Sequence, residues 1–390
     1  MHTRGLRLRR GSAKHIMIGS ITLGLVGASL AVGDIAGATT IPPVPQTSSR
    51  FVPQATAIQS GLVSLRTEKQ ADGAVRYSYS LPHSSLTTII PPSGFAPLSA
   101  SASQLQDYGF PPRPTSAGAL ASWTKAMSAY RDTIVPNLVF AKGGPLFSHP
   151  LQSTGTSPPG STRGTSQPVR NGANANWSGY TGNSSSHTHW ITAEGTWMVP
   201  NVGTQCGGSS TMSIWTGLGG VTSTGNFQQS GIAFNEGIPG QVSLWTPFWE
   251  LFEGGYNVGP YELYGAGTIA LSIQPGNVVF SSTYFDRSLN EVKFYLENLT
   301  NGQVAEYFAG SAITSYDGNT ADWITEFPLG GPGAQFQQFA IVTAYDQAST
   351  GQWLTAAQSA PEEDWVNGLL NPGPLGSDGK SFAEGFQGCR

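Results

Sequence analysis

Two glutamates sit inside apolar, aromatic stretches rather than in turns: Glu250 in Thr246-Pro-Phe-Trp-Glu-Leu-Phe252 and Glu326 in Ala321-Asp-Trp-Ile-Thr-Glu-Phe327. On a strand, residues two apart share a face. Glu250 then lies with Phe248 and Phe252, and Glu326 with Asp322 and Ile324. A carboxyl group set among apolar side chains can have a shifted pKa and act as acid or base. For either glutamate alone, an outward-facing polar strand position is the commoner arrangement. Both on one concave face is the sharper expectation.

Other catalytic sets are missing. The chain has no Asp-Thr-Gly or Asp-Ser-Gly for a pepsin-like pair, no Gly-x-Ser-x-Gly elbow and no His-Glu-x-x-His. His187 and His189 would share a strand face, but no third metal ligand is evident, and two exposed polar residues are the plainer reading. No phosphate-binding or dinucleotide fingerprint follows a strand. Carboxylate chemistry without a metal or cofactor is what remains.

The elements that must position these acids are strands. After Asn176 the chain reads as many short strands with glycine-rich turns and no long helical period. Residues 268–273 and 278–285 around Pro275-Gly276-Asn277 read as one hairpin. Residues 291–299 and 303–308 around Thr300-Asn301-Gly302 read as another. Further strands are expected over 241–252, 322–327 and 339–345. The fold class is all-β, a two-sheet antiparallel sandwich. At roughly 200 residues it is large enough for one substantial core.

The charge is divided along the chain. Residues 1–170 hold 15 Lys and Arg against 5 Asp and Glu; residues 171–390 hold 4 against 18. A basic front on an acidic back attracts it at neutral pH and loosens as carboxylates protonate, the behaviour of an acid-active enzyme with its propeptide. The acidic half argues against a nucleic-acid partner. Arg4, Arg7, Arg9, Arg10 and Lys14, the uncharged run 16–32 and Ala36-Gly37-Ala38 fit a signal peptide over 1–38. Secretion to the extracellular side follows, with no membrane association once the signal is removed. Residues 39–170 form a Pro/Ser-rich pro-region and linker, and 171–390 the sandwich domain. Within the pro-region Leu120, Trp123, Met127, Tyr130 and Ile134 share one helical face, with Lys125 and Arg131 off it and Pro136 as the stop. Residues 152–175, with Arg163 and Arg170, read as the linker to be cut. In an exported chain Cys206 and Cys389 are expected to form one disulfide tying down the C-terminus.

Six segments occur in a telling order: Asn176-Trp-Ser-Gly179, Gly195-Thr-Trp-Met-Val-Pro200, Trp215-Thr-Gly217, Phe227-Gln-Gln-Ser-Gly231, Trp249-Glu250 and Ala321-Asp-Trp-Ile-Thr-Glu326. In order and spacing they resemble the glutamic peptidases, or eqolisins, of the scytalidoglutamic peptidase type, over roughly residues 176–349. The resemblance implies a β-sandwich of concanavalin or jelly-roll type with a concave substrate groove, and a catalytic Gln and Glu falling on Gln229 and Glu326. The polypeptide substrate and the self-inhibiting pro-region are implied with it. Two family aspartates are replaced, one by Ala233 and one by Gly219 or Gly220.

The dyad makes chemical sense. An ionised Glu326 takes a proton from water and returns it to the leaving nitrogen, while the Gln229 amide donates to the developing oxyanion. Glu250 is a candidate for orienting Gln229. Trp215, Trp245 and Trp249 either line peptide subsites or belong to the core. Two other readings stand beside this one. A sandwich-fold glycoside hydrolase would use Glu250 and Glu326 as its pair, and a carbohydrate-binding module would use the aromatics alone. A monomer is expected.

Overall fold

The computed structural model describes residues 64–80, 85–135, 139–140, 169–171, 177–183, 189–203, 211–219, 227–235, 244–253, 256–257, 261–262, 271–310, 316, 318–327, 335–359, 361–364 and 369–388. The expected signal peptide over 1–38, Cys206, Cys389, His187 and most of the expected linker over 152–175 lie outside them. No helix of the described residues is long and apolar enough to cross a membrane.

The front of the chain forms β1 (Ser64–Lys69), β2 (Val75–Ser80), β3 (Ser85–Ile90), helix α1 (Ala102–Asp107), helix α2 (Ala117–Ala129), β4 (Asp132–Thr133), β5 (Val139–Phe140) and β6 (Val169–Asn171). Then follow β7 (Trp177–Asn183), β8 (Trp190–Met198), β9 (Val202–Gly203), β10 (Thr211–Gly219), β11 (Phe227–Asn235) and β12 (Leu244–Glu253). Next are β13 (Tyr256–Asn257), β14 (Tyr261–Glu262), β15 (Val278–Asp286), β16 (Glu291–Asn298), β17 (Gln303–Gly310) and β18 (Thr320–Glu326). The chain ends with β19 (Gln335–Phe336), β20 (Phe339–Ala348), β21 (Trp353–Thr355), β22 (Pro361–Asp364), β23 (Leu370–Pro372) and β24 (Phe382–Phe386).

These strands make two large sheets. Sheet A runs β1-β2-β3-β17-β16-β15-β8-β20-β24-β23, and sheet B runs β5-β14-β12-β11-β10-β18-β7-β22-β6. Pairing is antiparallel except for β4 with β17 and β22 with β6. The two sheets enclose one core. Ile214, Leu218, Ile232, Trp245, Trp249, Leu251 and Trp323 reach in from sheet B to meet Trp197, Val279, Phe294, Leu296, Tyr307 and Ile341 of sheet A. The expected all-β sandwich is the observed one.

A patch of hydroxyls bridges the two sheets within this core. Ser281 Oγ lies 2.9 Å from both Thr216 Oγ1 and Ser230 Oγ, and Thr283 Oγ1 donates to the Thr216 carbonyl at 3.1 Å. Hydrogen bonds are directional where apolar contact is not. This patch therefore fixes β15 against β10 and β11, the strands carrying Trp215 and Gln229.

The hairpin of β16 and β17 forms as the sequence reads, with Gly302 at φ +75° and its N–H donating to the Asn298 carbonyl. The first expected hairpin does not form within the described residues. β15 pairs with β8 and β16 instead, and Ile273 bridges to Trp245 of sheet B. The helix also departs from expectation. It ends at Ala129, and Tyr130 is already extended at ψ 131°. The free edge of β17 explains this: the Gly302 carbonyl accepts from Arg131 and the Val304 carbonyl from Ile134, drawing the chain into β4. Ile134 is thus off the helix.

A larger difference concerns where the front of the chain goes. Residues 64–134 extend sheet A through β3 on β17 and lay α1 and α2 over that sheet's outer face. Helix α2 thus packs on the sheet that does not carry Gln229 and Glu326.

Candidate active site

Antiparallel register arranges the outer face of sheet B into rows. Asp322, Gly217, Gln229 and Glu250 stand opposite one another across β18, β10, β11 and β12. The next row holds Ile324, Trp215, Gly231 and Phe248, and the one after it Trp177, Glu326, Ser213, Ala233 and Thr246. Gln229, Glu250 and Glu326 therefore share one face, with an aromatic row between the first two and the third. Each of the three is 0% exposed.

Trp215 spans the gap. Its indole N–H donates to Glu326 Oε2 at 3.0 Å. The far edge of the same ring lies over Gly217, where an added Cβ would come within 2.9 Å of Trp215 Cζ3. The ring thus lies along β10 from Glu326 toward the Gln229 row. Trp177 and Phe227 hold it edge-on, at centroid distances of 4.9 and 5.2 Å. The glycines at 217 and 231 are what let an indole lie this close to the backbone.

Gln229 is held by Glu250, its direct neighbour across β11 and β12. Its amide Nε2 donates to Glu250 Oε2 at 2.5 Å. A side-chain amide has two N–H groups and a carbonyl oxygen. One N–H is committed to Glu250, and Oε1 has no hydrogen-bond partner among the described residues. A buried amide with an unsatisfied acceptor is costly unless water or a ligand completes it. The arrangement leaves one donor and one acceptor for a reacting group.

The three tryptophans separate. Trp215 is on the face of Gln229 and Glu326, whereas Trp245 and Trp249 point the other way, into the core between the sheets. Trp249 stacks there on Phe294 at 5.3 Å. These two rings, left open between subsite and core by the sequence, are core. Gln228, paired with Leu218 and Leu251, also lies on the core-facing side. His189 is exposed and belongs to no metal cluster; no group of three metal-ligating side chains occurs among the described residues.

Ser213 escaped sequence reasoning. It stands directly across from Glu326, 0% exposed, and its hydroxyl has no partner among the described residues. Only cross-strand register reveals it, because 113 positions of sequence separate it from Glu326.

Comparison with known proteins follows this geometry. The Peptidase A4 family matches residues 175–362. Among solved structures, scytalido-glutamic peptidase with a peptide-based transition state analog is 17% identical at a TM-score of 0.42, covering 54% of this chain and 98% of that one. SCP-B, a member of the eqolisin family, in complex with the tripeptide Ala-Ile-His, is 17% identical at 0.40 with the same coverage. Aspergilloglutamic peptidase from Aspergillus niger is 18% identical at 0.33, covering 45% and 99%. No curated protein matches the chain. Over residues 175–362 this chain matches the Peptidase A4 family, and that match supports its assignment to the glutamic peptidases.

Proposed function

We propose that the chain is a secreted acid endopeptidase that hydrolyses peptide bonds with Glu326 and Gln229 and is made as a latent precursor. The observation that carries the reading is the pairing of a buried carboxylate, held by the Trp215 indole, with a buried amide that has one N–H and its Oε1 uncommitted. Glu326 takes a proton from the attacking water as general base and hands it to the leaving nitrogen as general acid. The free N–H of Gln229 donates to the carbonyl oxygen as it gains charge, and its Oε1 holds the water. Glu250 fixes which way the amide points. The reference pKa of a carboxylate, near roughly 4, suits a base that works in acid better than that of histidine.

Latency is supported by burial. Gln229, Glu250 and Glu326 have no exposed surface, so a polypeptide substrate reaches them only after something moves. The pro-region is proposed as the inhibitor, with cleavage in the linker over 152–175. Its α2 helix is not the covering part, since that helix lies on sheet A. The glycosidase reading is weaker. Glu250 is three strands from Glu326 and its Oε2 is engaged by the Gln229 amide, which does not suit two carboxyls flanking one bond.

The test is hydrolysis of denatured casein in acid by the processed protein and by Glu326→Gln and Gln229→Ala. Losing the base should abolish turnover, and losing the oxyanion donor should lower kcat by on the order of a hundredfold or more. A folded Glu326→Gln protein with near-normal activity would refute the assignment.

A further inference from the structure

The outer face of sheet A is unusual for a surface. Phe280, Tyr295, Val304 and Phe308 point outward from β15, β16 and β17, and they share that face with Glu194, Lys293, Glu297 and Glu306. All eight are buried. What covers them is residues 64–134. Trp123 and Met127 of α2, together with Leu105, Tyr108 and Phe110, pack on the apolar members. Phe110 meets Tyr295 at a ring distance of 5.4 Å.

Two of the polar members, Glu306 and Lys293, are met directly by this segment, while Glu194 and Glu297 accept from Ser282 and Tyr295 of sheet A itself. Glu306 Oε1 accepts the Ile89 N–H at 2.6 Å, and the Thr88 hydroxyl donates to the Glu306 carbonyl. Lys293 Nζ donates to the Gln106 carbonyl at 2.7 Å while pairing with Asp286 at 3.2 Å. The Gln106 amide donates to Asp286 in turn, and Tyr284 donates to the Phe110 carbonyl. Gly109 lies so close over Glu306 that a Cβ there would come within 2.0 Å of its Oε2. A Cβ on Gly118 of α2 would come within 2.6 Å of Tyr345 Oη, and Tyr345 is paired in register with Glu194.

The same segment occupies the edge of β17 twice, through β3 at Phe308–Gly310 and β4 at Gln303–Val304. Removing it would bare an aromatic patch and an unpaired strand edge together, both of which promote aggregation.

We propose that residues 64–134 are a lasting layer of the enzyme: after water hydrolyses a peptide bond in the linker, this piece stays on the outer face of sheet A as a second chain of the working protein. The inference rests on the precursor reading for the cut itself. It separates two jobs within the pro-region, since the layer contacts the sheet opposite to the one bearing Gln229 and Glu326.

The layer is held in a pH-dependent way. Burial pushes Glu194 and Glu297 up from 4.5 to about 8, and Glu306 well above its ordinary value. The groups facing them are few. Glu306 has Lys293, Arg76 and the tyrosines 79, 130, 284, 295 and 307 around it, Glu297 has Tyr295 and Tyr130, and Glu194 has Ser282. Glu291 and Asp286 add further acid near Lys293. In the assembled state these three glutamates keep protons that they lose once uncovered. Their stabilisation is complete below 4.5 and is lost as pH rises toward about 8 and beyond.

The experiment uses the full chain carrying Glu326→Gln, with a site for an unrelated sequence-specific protease inserted between Pro158 and Pro159. The cut then does not depend on whether the chain processes itself, so the result is independent of the precursor reading. Size-exclusion chromatography of the cut protein at pH 4 should give one peak containing both pieces, and at pH 9 two. An N-terminal piece that elutes alone at pH 4, beside a folded C-terminal piece, overturns the lasting layer. Pieces that stay together at pH 9 overturn the pH dependence. The Glu194→Gln, Glu297→Gln, Glu306→Gln triple variant should move the pH of release upward by a unit or more, because glutamine imitates the protonated acid. Glu297→Gln alone repeats this should the triple variant not fold. Release at the wild-type pH in either variant overturns the role of these glutamates.

Discussion

Glu326, the proposed base, is positioned by a hydrogen bond that an aromatic ring supplies. The Trp215 N–H fixes one of its carboxylate oxygens. Hydrogen bonds to charged groups contribute about 1.5–3 kcal/mol. Trp215→Phe keeps a ring against Trp177 and Phe227 but removes the donor. It is expected to lower kcat on casein by on the order of tenfold or more, with a small change in melting temperature. An unchanged kcat would show that the indole only fills space. The same scale applies to Glu250, whose carboxylate accepts from the Gln229 amide and is proposed to orient it.

At the scale of elements, β10, β11, β12 and β18 form a plate whose outer face holds Gln229, Glu250 and Glu326, the proposed reacting groups, and whose inner face is anchored in the core. Their closeness depends on missing side chains. A Cβ on Gly231 would sit 2.1 Å from the Ile214 carbonyl oxygen and 2.6 Å from Trp215 Cβ. Backbone cannot yield as a flexible side chain can. Gly231→Ala is therefore expected to destabilise the fold by about 1–3 kcal/mol or more and to displace the indole from Glu326. Urea unfolding in the Glu326→Gln background measures the first effect. An unaltered midpoint would mean that β10 and β11 tolerate a wider spacing than the pairing suggests.

For the whole molecule, the balance of buried acids sets the response to pH. Glu194, Glu297, Glu306 and Asp346 are all raised by burial. Each keeps its proton in the folded chain at pH values where the unfolded chain has lost it. Their contribution is present below the ordinary carboxylate range and is lost as pH climbs from about 4.5 toward 8 and above. Asp286, lowered by hydrogen bonds from Gln106 and Ser288 and by Lys293 against the cost of its burial, works oppositely and loses its contribution as pH falls below 3.8. The Glu326→Gln full chain should therefore melt highest in mild acid and several degrees lower at pH 8. A midpoint that is flat or rising from pH 4.5 to 8 would show that carboxylate pairs, rather than buried neutral acids, control the fold.

The strand texture, the order of the six segments and the face shared by Glu326 with Asp322 and Ile324 are legible in the sequence, because a period of two residues and a local motif need no distant partner. Registry is not local. That Gln229 meets Glu250, that Ser213 faces Glu326, and that Trp215 turns outward while Trp245 and Trp249 turn inward all depend on which strand lies beside which. Strand β16 shows the limit most clearly. Its alternation of Val292, Phe294 and Leu296 with Lys293, Tyr295 and Glu297 reads as a half-exposed strand. Both faces are buried, because α1, α2 and the front strands fold back onto a sheet formed some 200 residues later. A charge count sees only that the front is basic and the back acidic. The buried match of Trp123, Phe110 and Gln106 to the outer face of sheet A is a matter of shape and hydrogen bonding, and only the tertiary structure decides it.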